Sequence, residues 1–142
     1  MTRGGLISEG LSVQHFKPEE FRCRCGKCNL GFNAMQPSTL KKLSQARENP
    51  LVIENHVQFI IRSAIRCLTH NSNVGGEKLS AHLTGHALDI AASDSRTRFI
   101  ILKALMDAGF NRIGIANGFI HADDAPYSAK EVVWLYPQKK VK

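Results

Sequence analysis

Residues 80–90, SAHLTGHALDI, place two histidines and an aspartate in a stretch of small and apolar residues that follows a Gly-Gly pair. The segment GHALDIAA alternates as a β-strand does, with Ala87 and Asp89 directed to one face and Leu88 and Ile90 to the other. This stretch is therefore either a metal site or a buried strand that carries polar residues.

The N-terminal part of the chain predicts two helices. In HFKPEEF, Pro18 followed by two acidic residues is typical of the start of a short helix. PSTLKKLSQAREN has Leu40, Leu43 and Ala46 on one face and ends before Pro50, as an amphipathic helix does. We expect these two elements to form an N-terminal cap.

A third helix is predicted to begin at a serine N-cap, Ser93 or Ser95, and to continue to about Ala108, where Gly109 closes it. Its buried stripe is predicted to consist of Phe99, Leu102, Leu105 and Met106.

The other periodic segments predict strands. HVQFIIRSAIR is rich in β-branched and apolar residues and predicts a strand over about 57–65, while THNSNVGGEK has the composition of a loop. NRIGIAN and GFIHAD predict two strands joined near Asn117-Gly118, and EVVWLY a last one. Together these elements predict an α+β fold, a small antiparallel sheet with helices packed on it.

Length and charge narrow the classes of partner. The 142 residues predict one domain, with an N-terminal extension over 1–14 and a basic tail over 137–142. Neither a signal-peptide pattern nor a membrane-length apolar run is visible, so we expect synthesis in the cytoplasm and no membrane insertion. We also expect a monomer. The net charge of +7 favours an anionic partner. Because no nucleic-acid recognition motif accompanies it, specific nucleic-acid binding is not expected.

His82 and Asp89 are separated by a glycine that could turn the chain so that their side chains converge. An imidazole and a carboxylate are two of the three protein ligands that a catalytic zinc needs. His121 in GFIHADD is the candidate for the third ligand, since it lies on a predicted strand followed by carboxylates that could orient its ring. The alternative is that these polar residues lie at strand ends without a metal.

The four cysteines allow three interpretations. Cys23, Cys25, Cys28 and Cys67 could hold a second, structural zinc, although their spacing is not that of a zinc ribbon. A disulfide between Cys67 and one of the other three would form only outside the reducing cytosol. Reduced free thiols are the third interpretation.

The chain resembles the zinc D-alanyl-D-alanine peptidases, a family that includes carboxypeptidases, murein endopeptidases and phage endolysins and shares its fold with the hedgehog signalling domain. SAHLTGHALDI fits the family's Ser-x-His-x-x-Gly-x-Ala-x-Asp motif, RSAIRCLTHNSNVGG its Ser-x-x-Arg and His-Asn-x-x-Val-Gly-Gly stretch, and GFIHAD the strand with the last zinc ligand. HFKPEEFRCRCGKC is similar to the N-terminal segment of small phage and prophage members. The resemblance covers about residues 15–124.

The resemblance implies zinc bound by His82, Asp89 and His121, with Arg66 holding the substrate carbonyl or the oxyanion that forms when activated water attacks it. Ser80 is expected to support the zinc loop by hydrogen bonding rather than to act as a nucleophile.

Many family members carry an acidic general base three residues before the last zinc histidine, where this chain has Gly118. Asp123 is the first candidate to replace it, although on a strand it shares a face with His121 and could equally orient that ring. The next candidates are Asp124, His70 and His86.

The resemblance thus implies a zinc-dependent peptidoglycan hydrolase that cleaves an amide of the stem peptide or cross-link, encoded by a phage or prophage and acting on the cell wall after release or as a virion component. One alternative is a catalytically weak or inactive zinc-binding module that holds wall peptide or protein; another is a basic nucleic-acid-binding protein with a cysteine-rich zinc knuckle.

Trp134, Tyr127 and Tyr136 could line a substrate groove, although aromatic residues in a closing strand more often belong to the core.

Overall fold

The computed structural model describes residues 6–8, 11–13 and 15–137. The predicted extension, 1–14, is described only at its two short strands, and the basic tail lies outside the described residues except for Pro137. The helices are α1 (Pro37–Arg47), α2 (Pro50–Glu54), α3 (Leu68–Asn73) and α4 (Ser95–Asp107). The strands are β1 (Leu6–Ser8), β2 (Leu11–Val13), β3 (Ile61–Ser63), β4 (Ala87–Ala91), β5 (Arg112–Ile115), β6 (Phe119–Asp123) and β7 (Val132–Leu135). Short 3-10 helices span Pro18–Phe21, Phe32–Ala34 and Ala81–Thr84.

β3 to β7 form one sheet in the order β3-β4-β6-β5-β7, while β1 and β2 pair in a separate hairpin. The α+β class is confirmed. The sheet departs from the predicted all-antiparallel arrangement at one edge, where β7 runs parallel to β5. The chain leaves β6 and returns to this edge through residues 124–131, which accounts for the parallel direction. None of the described helices is long and apolar enough to cross a membrane.

One face of the sheet packs against α1 and α4 in the hydrophobic core. The predicted face of α1 is confirmed, since Leu40, Leu43 and Ala46 are all buried. They join apolar side chains of the central strands in one cluster. Burial of this kind is the main source of stability in a domain of this size.

The predicted stripe of α4 is confirmed at Leu105 and wrong at Phe99 and Met106. The buried residues are Ile100, Ile101, Ala104 and Leu105. Phe99 and Met106 are 55% and 52% exposed, and Leu102 is only partly buried. The helix is apolar at almost every position from 99 to 106, so periodicity alone did not fix which face meets the sheet.

Two predicted segments differ for reasons that concern hydrogen bonding. The strand predicted over 57–65 is shortened to β3, because the backbone beyond Ser63 bonds instead to the segment that carries His82. The Arg66 N–H donates to the His82 carbonyl at 3.0 Å. The predicted loop over 69–78 contains most of α3, whose N-cap is Cys67. Helix α2 was not predicted.

Candidate metal centre

A single row of residues crosses the five strands on the sheet face opposite the helices. Ser63 pairs with Asp89, Asp89 with His121, His121 with Gly114, and Gly114 with Trp134. Directly paired residues in adjacent strands point to the same side of a sheet. The pairing therefore brings Asp89 and His121 together, although they are 32 positions apart in the chain.

His82 reaches the same place from the 3-10 helix that precedes β4. Ser80 caps this helix by accepting the His82 N–H at 3.2 Å, the supporting role predicted for it. The helix ends at Gly85, whose φ of 77° lies in the left-handed region. A Cβ at Gly85 would also lie 2.1 Å from the Ala34 carbonyl oxygen, so the motif glycine is required by both conformation and space.

Three buried ligand atoms of His82, Asp89 and His121 lie within 4.8 Å of one another. Asp89 Oδ1 is 3.3 Å from His82 Nε2 and 3.0 Å from His121 Nδ1. The opposite nitrogen of each ring is already bonded: His82 Nδ1 lies 2.6 Å from the Ala64 carbonyl oxygen, and His121 Nε2 lies 2.6 Å from Asp123 Oδ2.

The hydrogen bonds on the far side of the two rings determine what they present to Asp89. A carbonyl or carboxylate oxygen only accepts, so the far nitrogens carry the hydrogens, and in neutral rings the near nitrogens present lone pairs. Those lone pairs face a carboxylate oxygen. Only a proton or a metal cation between these atoms makes the contacts favourable, and two imidazoles with one carboxylate are a ligand set that zinc accepts. The residues therefore fit a zinc ion.

The electrostatics of the cluster agree with a cation site. Burial alone would raise the pKa of Asp89, but the charge of His82 and the hydrogen bonds with His121 and His82 outweigh burial and hold this pKa well below its usual range. Burial lowers the pKa of His121, and its bonds to Asp123 and Asp89 outweigh burial and raise it. The site thus carries an ionised carboxylate at neutral pH and favours positive charge on the His121 ring.

Asp123 has the contacts of a group that orients His121. It is 1% exposed, and its second oxygen accepts hydrogen bonds from Arg112 Nε at 2.8 Å and from the Ala125 N–H at 3.1 Å. Burial would raise the pKa of Asp123, but the hydrogen bond with His121 and the charges of His121 and Arg112 keep it lowered. Both of its oxygens are therefore occupied by protein donors.

Arg66 lies beside the ligand cluster and is held at three points. Its Nε donates to Ser63 Oγ at 3.1 Å, Nη1 to Asn71 Oδ1 at 3.1 Å, and Nη2 to Asp89 Oδ2 at 3.3 Å. Asn71 is in turn fixed by donating to the Glu77 carbonyl at 2.8 Å. A Cβ at Gly76 would lie 2.1 Å from Asn71 Oδ1, so the second glycine of the Gly-Gly pair leaves the space that this arrangement needs.

These groups open into a cavity of about 1030 Å³. Trp134 forms one wall, with its ring centre 5.4 Å from that of His121, and the guanidinium of Arg112 lies 5.2 Å from the Trp134 ring centre. Tyr136 also lines the cavity, whereas Tyr127 contacts Thr84 and lies beside His86 outside it. Of the two interpretations of the aromatic residues, a groove lining fits Trp134 and Tyr136.

Sequence reasoning missed three charged residues that line this cavity, namely Arg62, Glu77 and Arg112. The pairing of Arg112 with Asp123 across β5 and β6 depends on strand register, which no motif indicates. Glu77 is exposed, and its carboxylate has no hydrogen-bond or ionic partner among residues 15–137.

The remaining candidate bases lie elsewhere. Asp124 accepts hydrogen bonds from Ser38, Thr39 and Lys42, which places it against α1. His70 and His86 do not line the cavity in the part of the chain that the structure describes.

Gly118, the position at which the resemblance implies an acidic base, lines the cavity. Its carbonyl accepts a hydrogen bond from Arg62 Nη1 at 3.4 Å. The four cysteines gather at a separate place, at the N-terminus of α3.

Comparison with protein families gives a match over most of the chain. The family model described as Peptidase M15 matches residues 14–123, a span that includes every residue of the ligand cluster, Arg66 and Asp123. A search of curated proteins finds no match.

Proposed function

The chain belongs to the peptidase M15 family, and on that premise we propose that it is a zinc-dependent peptidase that hydrolyses an amide bond in the stem peptide or cross-link of peptidoglycan. The observation that carries the proposal is the convergence of two imidazole lone pairs on one buried carboxylate oxygen. His82, Asp89 and His121 would hold the metal. When bound, zinc lowers the pKa of water and polarises a carbonyl, the chemistry that amide hydrolysis requires.

Arg66 is proposed to bind the substrate carbonyl oxygen and the negative charge that develops on it. Three bonds fix its guanidinium beside Asp89, and Arg66 lines the cavity. A donor fixed in advance stabilises developing charge without reorganisation, which is why such groups contribute strongly to catalysis.

Asp123 is proposed to position His121 rather than to accept the proton from water, because both of its oxygens are bonded within the protein. Glu77 is proposed as the proton acceptor. It is an exposed carboxylate on the cavity wall, without a partner among residues 15–137. In this role Glu77 would replace the acidic general base that many family members carry at the position of Gly118.

A peptidoglycan stem peptide suits the charge of the cavity. Three arginines line it, and Arg62 has no acidic partner among the described residues. The net charge of +7 would favour adsorption to an anionic wall. We further propose a phage or prophage origin, with action on the wall after release or from a virion.

The test is hydrolysis of purified peptidoglycan, with product masses determined and zinc content measured on the same preparations. His82→Ala should abolish cleavage and lose the zinc of this centre. His86→Ala is the matched control, since His86 lies in the same motif but outside the ligand cluster, and it should keep both. Zinc bound without cleavage of any wall type would instead support the non-catalytic binding module.

Glu77→Gln tests the proton acceptor. The variant should retain its zinc and its KM while kcat falls by about a hundredfold or more. An unchanged kcat would exclude Glu77 from that role without affecting the proposed metal ligands.

A further inference from the structure

Four cysteine thiols form a cluster apart from the ligands described above. The sulfur atoms of Cys23, Cys25, Cys28 and Cys67 all lie within 4.8 Å of one another. Three come from the segment that follows the first 3-10 helix, and the fourth caps α3. Residues 44 positions apart are thus brought to a single point.

The spacing of the sulfur atoms distinguishes a metal site from a disulfide. Cys23 Sγ and Cys67 Sγ are 3.8 Å apart. Two thiolates on a tetrahedral zinc with Zn–S bonds of about 2.3 Å are about 3.8 Å apart. A disulfide holds its sulfur atoms at about 2.05 Å. We propose that Cys23, Cys25, Cys28 and Cys67 bind a second, structural zinc ion as four thiolates.

The local backbone is arranged as a thiolate site requires. Gly26, with φ of 73°, turns the chain so that Cys25 and Cys28 face the same point. Backbone N–H groups donate to three sulfurs: Lys27 to Cys25 at 3.2 Å, Cys67 to Cys23 at 3.4 Å, and His70 to Cys67 at 3.4 Å. Such donors stabilise charge on sulfur and orient metal ligands.

Nearby positive charge offsets the charge of the site. Four thiolates around Zn²⁺ carry a net negative charge, and Arg22, Arg24 and Lys27 lie within the same segment. Arg24 is anchored beneath it, donating to the Ile61 carbonyl at 2.9 Å and to the Glu20 carbonyl at 3.0 Å. The basic side chains of this segment would thus stabilise the negative charge of the four thiolates.

This zinc ion would cross-link two distant parts of the chain. It would join the N-terminal segment, whose Phe21 is fully buried in the core, to the residue that follows Arg66. Loss of this zinc ion is expected to release the N-terminal segment and increase the mobility of Arg66, while His82, Asp89 and His121 stay in place. The inference does not depend on the proposed hydrolytic activity.

Metal counting on the full chain, purified under reducing conditions, tests the proposal. We expect two zinc ions in the wild type, one in His82→Ala and one in the double variant Cys25→Ser/Cys28→Ser. Asn29→Ser is the matched control, because it changes an exposed, uncharged side chain directly after Cys28, and it should keep two. After cobalt substitution, His82→Ala should retain sulfur-to-cobalt charge-transfer absorption, which the cysteine variant should lack.

Where the cysteine variant does not fold, a mercurial thiol reagent added to folded His82→Ala should release its remaining zinc. A wild type with a single zinc that His82→Ala loses and the cysteine variant keeps would overturn the proposal in favour of free thiols. In a second preparation purified without reductant, a mass deficit of two hydrogens and no thiolate-bound metal would overturn it in favour of a disulfide. Failure of the catalytic centre alone would leave one thiolate-bound zinc in both wild type and His82→Ala.

Discussion

Asp89 and His121 face each other across β4 and β6, with Asp89 Oδ1 3.0 Å from His121 Nδ1. The strand register, and not the local sequence, sets this distance. Because His121 Nε2 is bonded to Asp123, the nitrogen that faces Asp89 is the one left for a metal.

Asp123→Asn should lower the affinity for zinc, while the zinc-loaded variant should keep its peptidase activity. The change removes the charge that stabilises the His121 ring and its pair with Arg112. Loss of such a partner typically lowers metal affinity by about 10–100-fold. Zinc titration should show this loss, and peptidase activity should return when excess zinc is added. Activity that stays low at saturating zinc would mean that Asp123 takes part in proton transfer.

Gly76→Ala should reduce kcat/KM by about a hundredfold, because displacement of a catalytic group by about 1 Å has effects of that size. The added Cβ would lie 2.1 Å from Asn71 Oδ1 and 3.0 Å from Arg66 Nη1, so both side chains must move. Zinc content should not change. Gly75→Asn is the control: its site is open, and asparagine tolerates the left-handed φ of 75°. Equal activity in the two variants would argue against a role for Arg66.

Leu105→Ala should lower the free energy of unfolding by about 2–5 kcal/mol, as expected for a fully buried leucine. Phe99→Ala, on the same helix but 55% exposed, should change it by about 0.5 kcal/mol. Urea denaturation of the two variants measures the difference. A larger loss for Phe99→Ala than for Leu105→Ala would contradict the burial that the structure gives these two residues.

Asp94, and not the predicted Ser93 or Ser95, is the N-cap of α4, and it should make a pH-dependent contribution to stability. The Thr97 N–H donates to Asp94 Oδ1 at 2.8 Å and holds the pKa of Asp94 below its usual range. A lowered folded-state pKa stabilises the fold above the unfolded pKa of about 3.9, and this contribution is lost as pH falls through the folded value.

Asp94→Ala should accordingly have a lower Tm than the wild type at pH 7, with the gap closing in acid. Asp94→Asn keeps an acceptor for the Thr97 N–H, so its Tm should change less with pH than the Tm of the wild type does. A gap for Asp94→Ala that stays constant down to pH 2 would contradict this account of the cap.

The parts of the fold that were predictable are those in which a short sequence determines its own conformation. The Asn117-Gly118 turn between β5 and β6, the proline-initiated α1 and the alternation in β4 are of this kind. Likewise, motif spacing pairs His82 with Asp89, and the predicted strand and the family resemblance add His121; the structure places the three together.

The parts that were not predictable depend on tertiary contacts. Arg112 reaches Asp123 and the cavity only because β5 pairs with β6 in this register, which local sequence does not encode. β3 ends at Ser63 because the Arg66 N–H donates to the His82 carbonyl. In α4 there are too many apolar positions for the sequence to show which of them are buried.

The position of β6 between β4 and β5 has a kinetic consequence. β5 and β6 are joined by a tight turn and can pair within about 1–10 μs, the time in which hairpins form. Their docking onto β4 must span all of α4, so it requires a larger loop closure and follows later. His121 meets Asp89 only at that docking step. We therefore expect the nascent chain to lack this centre until sheet assembly is complete, so that metal loading there reports a finished fold.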